Sequence, residues 1–144
     1  MAKLEAFKPF NESSKYFLNT HHWWKPLSDF LFDKCGSLFQ AGEIESWYSI
    51  EGHTVDEKTA QRIADRLERL LENGTVRAFE VEILLAYPPY QCGYCNGKGI
   101  YPDGRECIAC HGEGKVGQLC FTEENVRAFA KFCRNSGGFD VYSR

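Results

Sequence analysis

The sequence predicts a mainly α-helical fold: one small helical domain, residues 1–144, with a cysteine-rich unit inserted at residues 90–117. Three observations support this prediction. Four segments repeat apolar residues at helical spacing, several of these segments are bounded by capping residues, and one glycine-rich stretch holds four of the seven cysteines. A chain of 144 residues with 43% hydrophobic residues is long enough to bury a core of ordinary size.

The first predicted helix covers residues 26–42. Pro26 suits the first turn and Gly42 suits the end, while Gly36 weakens the middle by about 1 kcal/mol relative to alanine. Cys35 falls on the apolar face and is therefore predicted to be a buried thiol. The whole predicted face consists of Leu27, Phe30, Leu31, Cys35, Leu38 and Phe39.

The second predicted helix covers residues 55–73. Thr54 and Glu57 have the spacing of a capping box, and Asn73 followed by Gly74 supplies the C-terminal stop. The outer face mixes acidic and basic side chains, which is typical of a solvated surface.

The third predicted helix follows at once and ends before Pro88. Val76, Phe79 and Ile83 fit helical spacing. The alternation of Phe79, Val81 and Ile83 also fits a strand, so that alternative stays open.

The fourth predicted helix begins after Thr122, a suitable N-cap, and ends at Gly137. Phe129 and Cys133 lie on its apolar face, so Cys133 is predicted to be a second buried thiol. The last six residues, FDVYSR, are expected to form a short strand or a packed tail.

Composition restricts the possible partners and compartment. The formal net charge is −3 and the pI is about 5.8, so the chain lacks the basic excess typical of nucleic-acid binding. The N-terminus, MAKLEAFKPFNESSKYF, has no signal-peptide pattern, and no segment is apolar enough to span a membrane. An odd number of cysteines in an unexported chain argues against disulfides. We expect a cytoplasmic protein without a membrane partner.

The cysteine-rich unit carries two CxxC pairs, and eleven residues separate the second cysteine of the first pair from the first cysteine of the second. Zinc prefers four tetrahedral ligands and binds thiolates strongly. The turn sequence YPDGRE lets the chain return with the second pair. The pattern therefore predicts one structural Zn²⁺ with four ligands: Cys92, Cys95, Cys107 and Cys110.

Three alternatives to a closed zinc site remain. Cys107 to His111, CIACH, matches the haem-attachment pattern, but that chemistry needs an exported chain. A redox CxxC is expected at the start of a helix, and glycine-rich tails disfavour that. Catalytic zinc keeps an open coordination position, whereas four cysteines close the site. His111 is predicted to be a turn residue near the metal.

The two pairs open the same repeat, CGYCNGKG and CIACHGEG. Both resemble CxxCxGxG, the repeat of the DnaJ-type and anti-TRAP-like zinc knuckles, over residues 92–114 only. DnaJ-type domains carry four repeats and two zinc ions, so two repeats imply one zinc. The resemblance also implies a rigid platform for protein contacts. The HPD tripeptide is absent, so co-chaperone activity is not implied.

The rest of the chain is loosely similar to uncharacterised bacterial and phage proteins. The similarity rests on WYSIEG and ENVRAFAKFCRNSGGF, and it implies no activity.

The segment HHWWKP concentrates aromatic residues before the first helix. Trp23 and Trp24 are candidate partner-binding residues, because tryptophan is enriched in interface hot spots. The alternative is that they pack on the core with their indole N–H groups bonded to backbone. His21 and His22 are adjacent and would point apart on an extended chain, which disfavours a second metal.

The function hypothesis is a non-catalytic, zinc-stabilised protein-binding module: an adapter or an inhibitor of another protein or complex, with phage or mobile-element anti-defence as one setting. Its expected contact surface comprises Tyr94, Lys98, Ile100, Tyr101 and Arg105. The alternative is an RNA- or single-stranded-nucleic-acid-binding zinc protein, in which Tyr94 and Tyr101 stack on bases. A small enzyme is the least favoured class, with His53 and Glu51 as its acid–base candidates.

Overall fold

The computed structural model describes residues 2–49, 51–117 and 119–143. It combines helices with two antiparallel sheets. The helices are α1 (His21–Lys34), α2 (Glu43–Trp47), α3 (Glu57–Glu72), α4 (Thr75–Ala86) and α5 (Glu123–Ser136). The strands are β1 (Ala2–Ala6), β2 (Tyr16–Asn19), β3 (His53–Val55), β4 (Tyr90–Gln91), β5 (Lys115–Val116) and β6 (Phe139–Ser143).

The prediction of a mainly α-helical fold is wrong, because the main body combines its helices with a four-stranded antiparallel sheet. Its strand order is β2-β1-β6-β3, so the two ends of the chain meet at its centre, where Leu4 pairs with Val141. β1 alternates buried Ala2, Leu4 and Ala6 with the more exposed Lys3 and Glu5. That alternation is readable in the sequence, but five residues give a weak signal, and most partners of β1 lie at the opposite end of the chain.

Helix α1 begins five residues earlier than predicted and ends at Lys34, before Gly36. Pro26 therefore lies inside the helix and cannot donate a hydrogen bond to the carbonyl of His22. The amide of Cys120 donates to that carbonyl instead, at 3.0 Å. This bond ties the segment that follows the cysteine-rich unit to the start of α1.

The predicted capping box of the second helix is wrong. Asp56 caps α3, with its carboxylate accepting a hydrogen bond from the Thr59 amide at 2.7 Å. Thr54 lies on β3 and donates to the Asp140 carboxylate at 2.6 Å. Both residues are good caps by type, and the pairing of β3 with β6 decides between them.

The other helix predictions are confirmed. The third segment is helical as α4, and Thr122 caps α5 by accepting from the Asn125 amide at 3.1 Å. Gly137 ends α5 in the left-handed conformation, φ 70°. Cys35 and Cys133 are buried, as predicted.

The main-body core lies between one face of the sheet and the helices, and aromatic rings dominate it. The ring of Phe129 on α5 contacts Phe17 of β2 at 5.2 Å between centroids, and Trp24 stacks on Trp47 at 6.2 Å. Outside this core, Arg134 joins α5 to α3 through the carboxylates of Asp65 and Glu68. Within the described residues, every helix is too short or too polar to cross a bilayer.

Candidate metal centre

The cysteine-rich unit repeats its backbone hydrogen bonds with an offset of fifteen residues. The Cys92 amide donates to the Gly114 carbonyl and the Cys107 amide donates to the Gly99 carbonyl, both at 2.9 Å. In the first repeat the Gly97 amide donates to the Cys92 carbonyl. The equivalent turn of the second repeat, fifteen residues later, has the same hydrogen bond. The two CxxCxGxG repeats are therefore two equivalent knuckles that hold each other across a pseudo-twofold axis.

The unit is closed at its base by β4 and β5, which pair Gln91 with Lys115. Its far end is the predicted YPDGRE turn, where the Gly104 amide donates to the Tyr101 carbonyl at 2.9 Å. Ile100 and Glu106 bridge the two chains between these ends. The prediction of a hairpin that returns with the second cysteine pair is thus confirmed.

All four cysteine sulfurs meet at one buried point. Their Sγ atoms lie within 4.8 Å of one another, with Cys92–Cys107 at 3.8 Å and Cys95–Cys110 at 3.7 Å. A tetrahedron of sulfurs about 2.3 Å from a zinc ion has edges of about 3.8 Å, so the spacing fits one such ion. Among the described residues, this is the one group of three or more His, Cys, Asp and Glu side chains close enough to share a metal.

Two backbone amides point at the sulfurs and stabilise thiolates. The Gly99 amide donates to the Cys95 sulfur and the Gly114 amide donates to the Cys110 sulfur, each at 3.2 Å. Gly99 and Gly114 share φ 78°, and a Cβ at either would collide with the backbone carbonyl of the other repeat. The glycines of the motif are therefore required by positive φ and by the close contact of the two knuckles.

His111 lies in a turn beside the cysteines, as predicted, and is not one of the clustered ligands. Its φ is 54°, and Asn96 at the equivalent position of the first repeat has φ 53°. Since all four sulfurs converge, the geometry is that of one shared ion and not of haem attachment through Cys107 and Cys110 alone.

Tyr101 lies against the cysteine cluster, where its hydroxyl accepts a hydrogen bond from the Ile108 amide at 3.4 Å. In the metal-free chain, burial by itself would raise the pKa of Cys107. Hydrogen bonding by the amides of Cys110 and Ala109 and by the Tyr101 hydroxyl outweighs this effect and lowers the pKa of Cys107 to about 6. Burial raises the pKa of Cys110 to about 11. Tyr101 thus supports a ligand, and only part of its ring is available to a partner.

The other residues of the expected contact surface are exposed. The exposed fraction is 80% for Tyr94 and 51% for Ile100, and Lys98 is exposed as well. Arg105 is exposed too, but its guanidinium pairs with the neighbouring Asp103 carboxylate at 2.6 Å.

Ile108 is 78% exposed but does not belong to the contact surface expected from the sequence. Ile108 lies between the two cysteines of the second pair, as Tyr94 lies between those of the first. The repeat does not identify Ile108, because the fifteen-residue offset pairs it with Gly93 and pairs Tyr94 with Ala109.

The two tryptophans of HHWWKP separate. Trp24 is buried in the core against Trp47, while Trp23 is half-buried beside a surface groove. Among the described residues, the indole N–H of Trp24 has no hydrogen-bond partner, in contrast to the expected bond to backbone. His21 and His22 are exposed and belong to no metal-binding group in the part of the chain that the structure describes.

The acid–base candidate His53 has a carboxylate partner, but that partner is Glu43 and not Glu51. His53 Nε2 lies 3.0 Å from Glu43 Oε1, and both side chains line a cavity of about 480 Å³. The Glu43 carboxylate also accepts a hydrogen bond from the Gln40 amide at 2.8 Å, which fixes the α2 turn. This pair joins α2 to β3.

No family model, curated protein or solved structure matches this chain. The resemblance to DnaJ-type and anti-TRAP-like knuckles therefore rests on the cysteine cluster and its repeat alone.

Proposed function

We propose that the cysteine-rich unit binds one structural Zn²⁺ and that the protein is a non-catalytic protein-binding module. The observation that carries the proposal is the convergence of four buried thiols within 4.8 Å in a unit that also exposes large apolar side chains. Four thiolates would have to stay reduced, which favours a reducing compartment such as the cytoplasm.

A structural role follows from the number of ligands. Four protein sulfurs complete a tetrahedral zinc site and leave no position for water or substrate. Bound zinc would supply folding free energy by cross-linking the two knuckles. The chain's own residues complete the site: Gly99 and Gly114 donate to sulfurs, and Tyr101 supports Cys107.

A protein-binding role follows from what the unit exposes. Tyr94, Ile100 and Ile108 keep half or more of their surface in solvent on a small rigid platform. Exposed aromatic and aliphatic side chains held on a rigid scaffold are typical of protein contact sites.

Charge disfavours nucleic acid as the partner. Lys98, Arg105 and Lys115 are balanced by Asp103, Glu106 and Glu113, and four thiolates on Zn²⁺ add a charge of −2. Binding to a phosphate backbone needs a basic surface.

A nuclease-treated affinity pull-down from source-cell lysate tests the protein-binding role. The wild type is compared with the double variant Tyr94→Ser/Ile108→Ser and with the control Phe10→Ser, which removes an equally exposed apolar residue, 84%, outside the unit. We expect one protein to be retained by the wild type and the control and lost from the double variant. Retention by all three, or binding lost on nuclease treatment alone, would refute the proposal.

A further inference from the structure

A surface groove of about 490 Å³ lies where the cysteine-rich unit meets the main body. One side is formed by α4 and the start of α1, and the other by the end of the second repeat and the segment leading to α5. A volume of this size is typical of sites that hold a side chain or a small ligand.

The groove has an apolar floor. Leu84 and Tyr87 line it from the end of α4 and keep 51% and 41% of their surface exposed, and Trp23 lines it from α1. Beneath them Phe121 is buried and contacts the ring of Phe79 at 4.6 Å, which makes the floor rigid. A rigid apolar floor fits a large apolar side chain.

The groove also carries excess negative charge. Glu80 lies on the α4 side and Glu113 on the metal-unit side, and neither carboxylate has an ion pair or side-chain hydrogen bond among the described residues. Among the described residues of the lining, Lys115 is the one cation. The thiolate-rich site adjoining Glu113 adds negative charge, so the groove is complementary to a cation.

We propose that this groove binds a peptide segment that carries one large apolar side chain next to an arginine or lysine. The apolar side chain packs on Trp23 and Leu84, and the cation faces Glu80 and Glu113. The proposal rests on the proposed function, in that the segment belongs to the protein partner.

Binding in the groove depends on the metal. Glu113 and Lys115 belong to the second knuckle, and the Gly114 carbonyl between them accepts the hydrogen bond from Cys92. Removing the metal unfolds this side of the groove, whereas the α4 side belongs to the main body and stays folded.

The test is a titration of the purified zinc-loaded protein with the peptide acetyl-Gly-Arg-Phe-Arg-Gly-amide, followed by amide NMR shifts. Two control peptides replace both arginines with glutamate or the phenylalanine with serine. We expect saturable shifts around Leu84, Glu113 and Gly117 with the first peptide and at least tenfold weaker binding of both controls. The absence of saturable shifts at millimolar peptide, or equal binding of the controls, would overturn the proposal.

Matched variants on α4 locate the site. Leu84→Asn and Glu80→Gln alter the groove, whereas Leu85→Asn and Glu82→Gln alter exposed residues of the same helix outside its lining. The first two should weaken the peptide at least fivefold, and the controls less than twofold. Equal weakening of peptide binding by a variant and its control would contradict the assignment. A concentration-dependent dimer of the protein that Leu84→Asn abolishes would contradict it as well.

The two proposals fail separately. If the peptide binds in the groove but the lysate yields no protein, the protein-binding function fails and the groove assignment stands. If a captured protein is retained equally by wild type and Leu84→Asn, the groove assignment fails and the function stands.

Discussion

The main body and the cysteine-rich unit are held together by different means. The body buries a continuous cluster of apolar side chains from its helices and its four-stranded sheet. The unit buries a separate cluster of four cysteines, with Tyr101 and Val116 packed against it. Burial of apolar area stabilises the first. On the proposed function, coordination of an ion stabilises the second, because so few buried side chains cannot offset the entropy of ordering a chain.

The comparison predicts that losing the metal unfolds the unit and spares the body. Cys107→Ser should reduce zinc from one ion per chain to none. It should also remove amide-exchange protection from residues 90–117, because structural zinc contributes on the order of 10 kcal/mol to the folding of small units. Metal analysis and hydrogen exchange measure the two effects. Cys120→Ser is the control, because Cys120 lies outside the cluster. Full zinc in Cys107→Ser, or one iron per chain in the purified wild type, would refute the zinc assignment.

The reverse experiment disturbs the body alone. Phe129→Ala removes a fully buried ring that contacts Phe17 and Trp24, so the free energy of unfolding should fall by about 3–5 kcal/mol. Urea denaturation measures this change, and metal analysis should still find one zinc per chain. The exposed Phe10→Ala should change stability by less than about 0.5 kcal/mol. Loss of zinc in folded Phe129→Ala would show that the two clusters are coupled.

A smaller effect tests the contact between the two knuckles. Gly114→Ala places a Cβ against the Gly97 carbonyl at φ 78°, so zinc affinity should weaken by about 1–3 kcal/mol in competition with a chelator. Gly93→Ala is the control, because Gly93 has open space around its Cβ position and no positive φ. Equal affinities would contradict the close packing of the repeats.

The smallest effect concerns the body alone and the cap of α3. Asp56→Ala should lower the free energy of unfolding by about 1 kcal/mol. Hydrogen bonding to Thr59, through its side chain and its amide, lowers the pKa of Asp56 in the folded state. Its contribution is therefore complete at neutral pH, above its unfolded pKa, and is lost as the pH falls through the folded pKa. Wild type and variant should converge in stability in strong acid, and a constant difference at all pH values would contradict the cap.

The cysteine-rich unit could be predicted from sequence because its determinants are local. All four ligands lie between Cys92 and Cys110, and two residues between paired cysteines suffice to bring both sulfurs to one ion. The glycines that permit positive φ lie inside the same repeats. Helices α3, α4 and α5 were predictable for a similar reason, since a 3.6-residue period is visible within one segment.

The features that the sequence did not determine depend on contacts between distant segments. β1 is a strand because β2 and β6 pair with it, and Thr54 is not a cap because it lies on β3 and bonds Asp140. The full burial of Trp24 beside a half-buried Trp23 likewise arises only from tertiary packing, as do the pairing of His53 with Glu43 and the groove beside Glu113. The sequence by itself determined a unit of four converging cysteines and three helices through short-range spacing. The sheet, the core partners and the groove required the tertiary structure, because their free energy comes from contacts that no local pattern specifies.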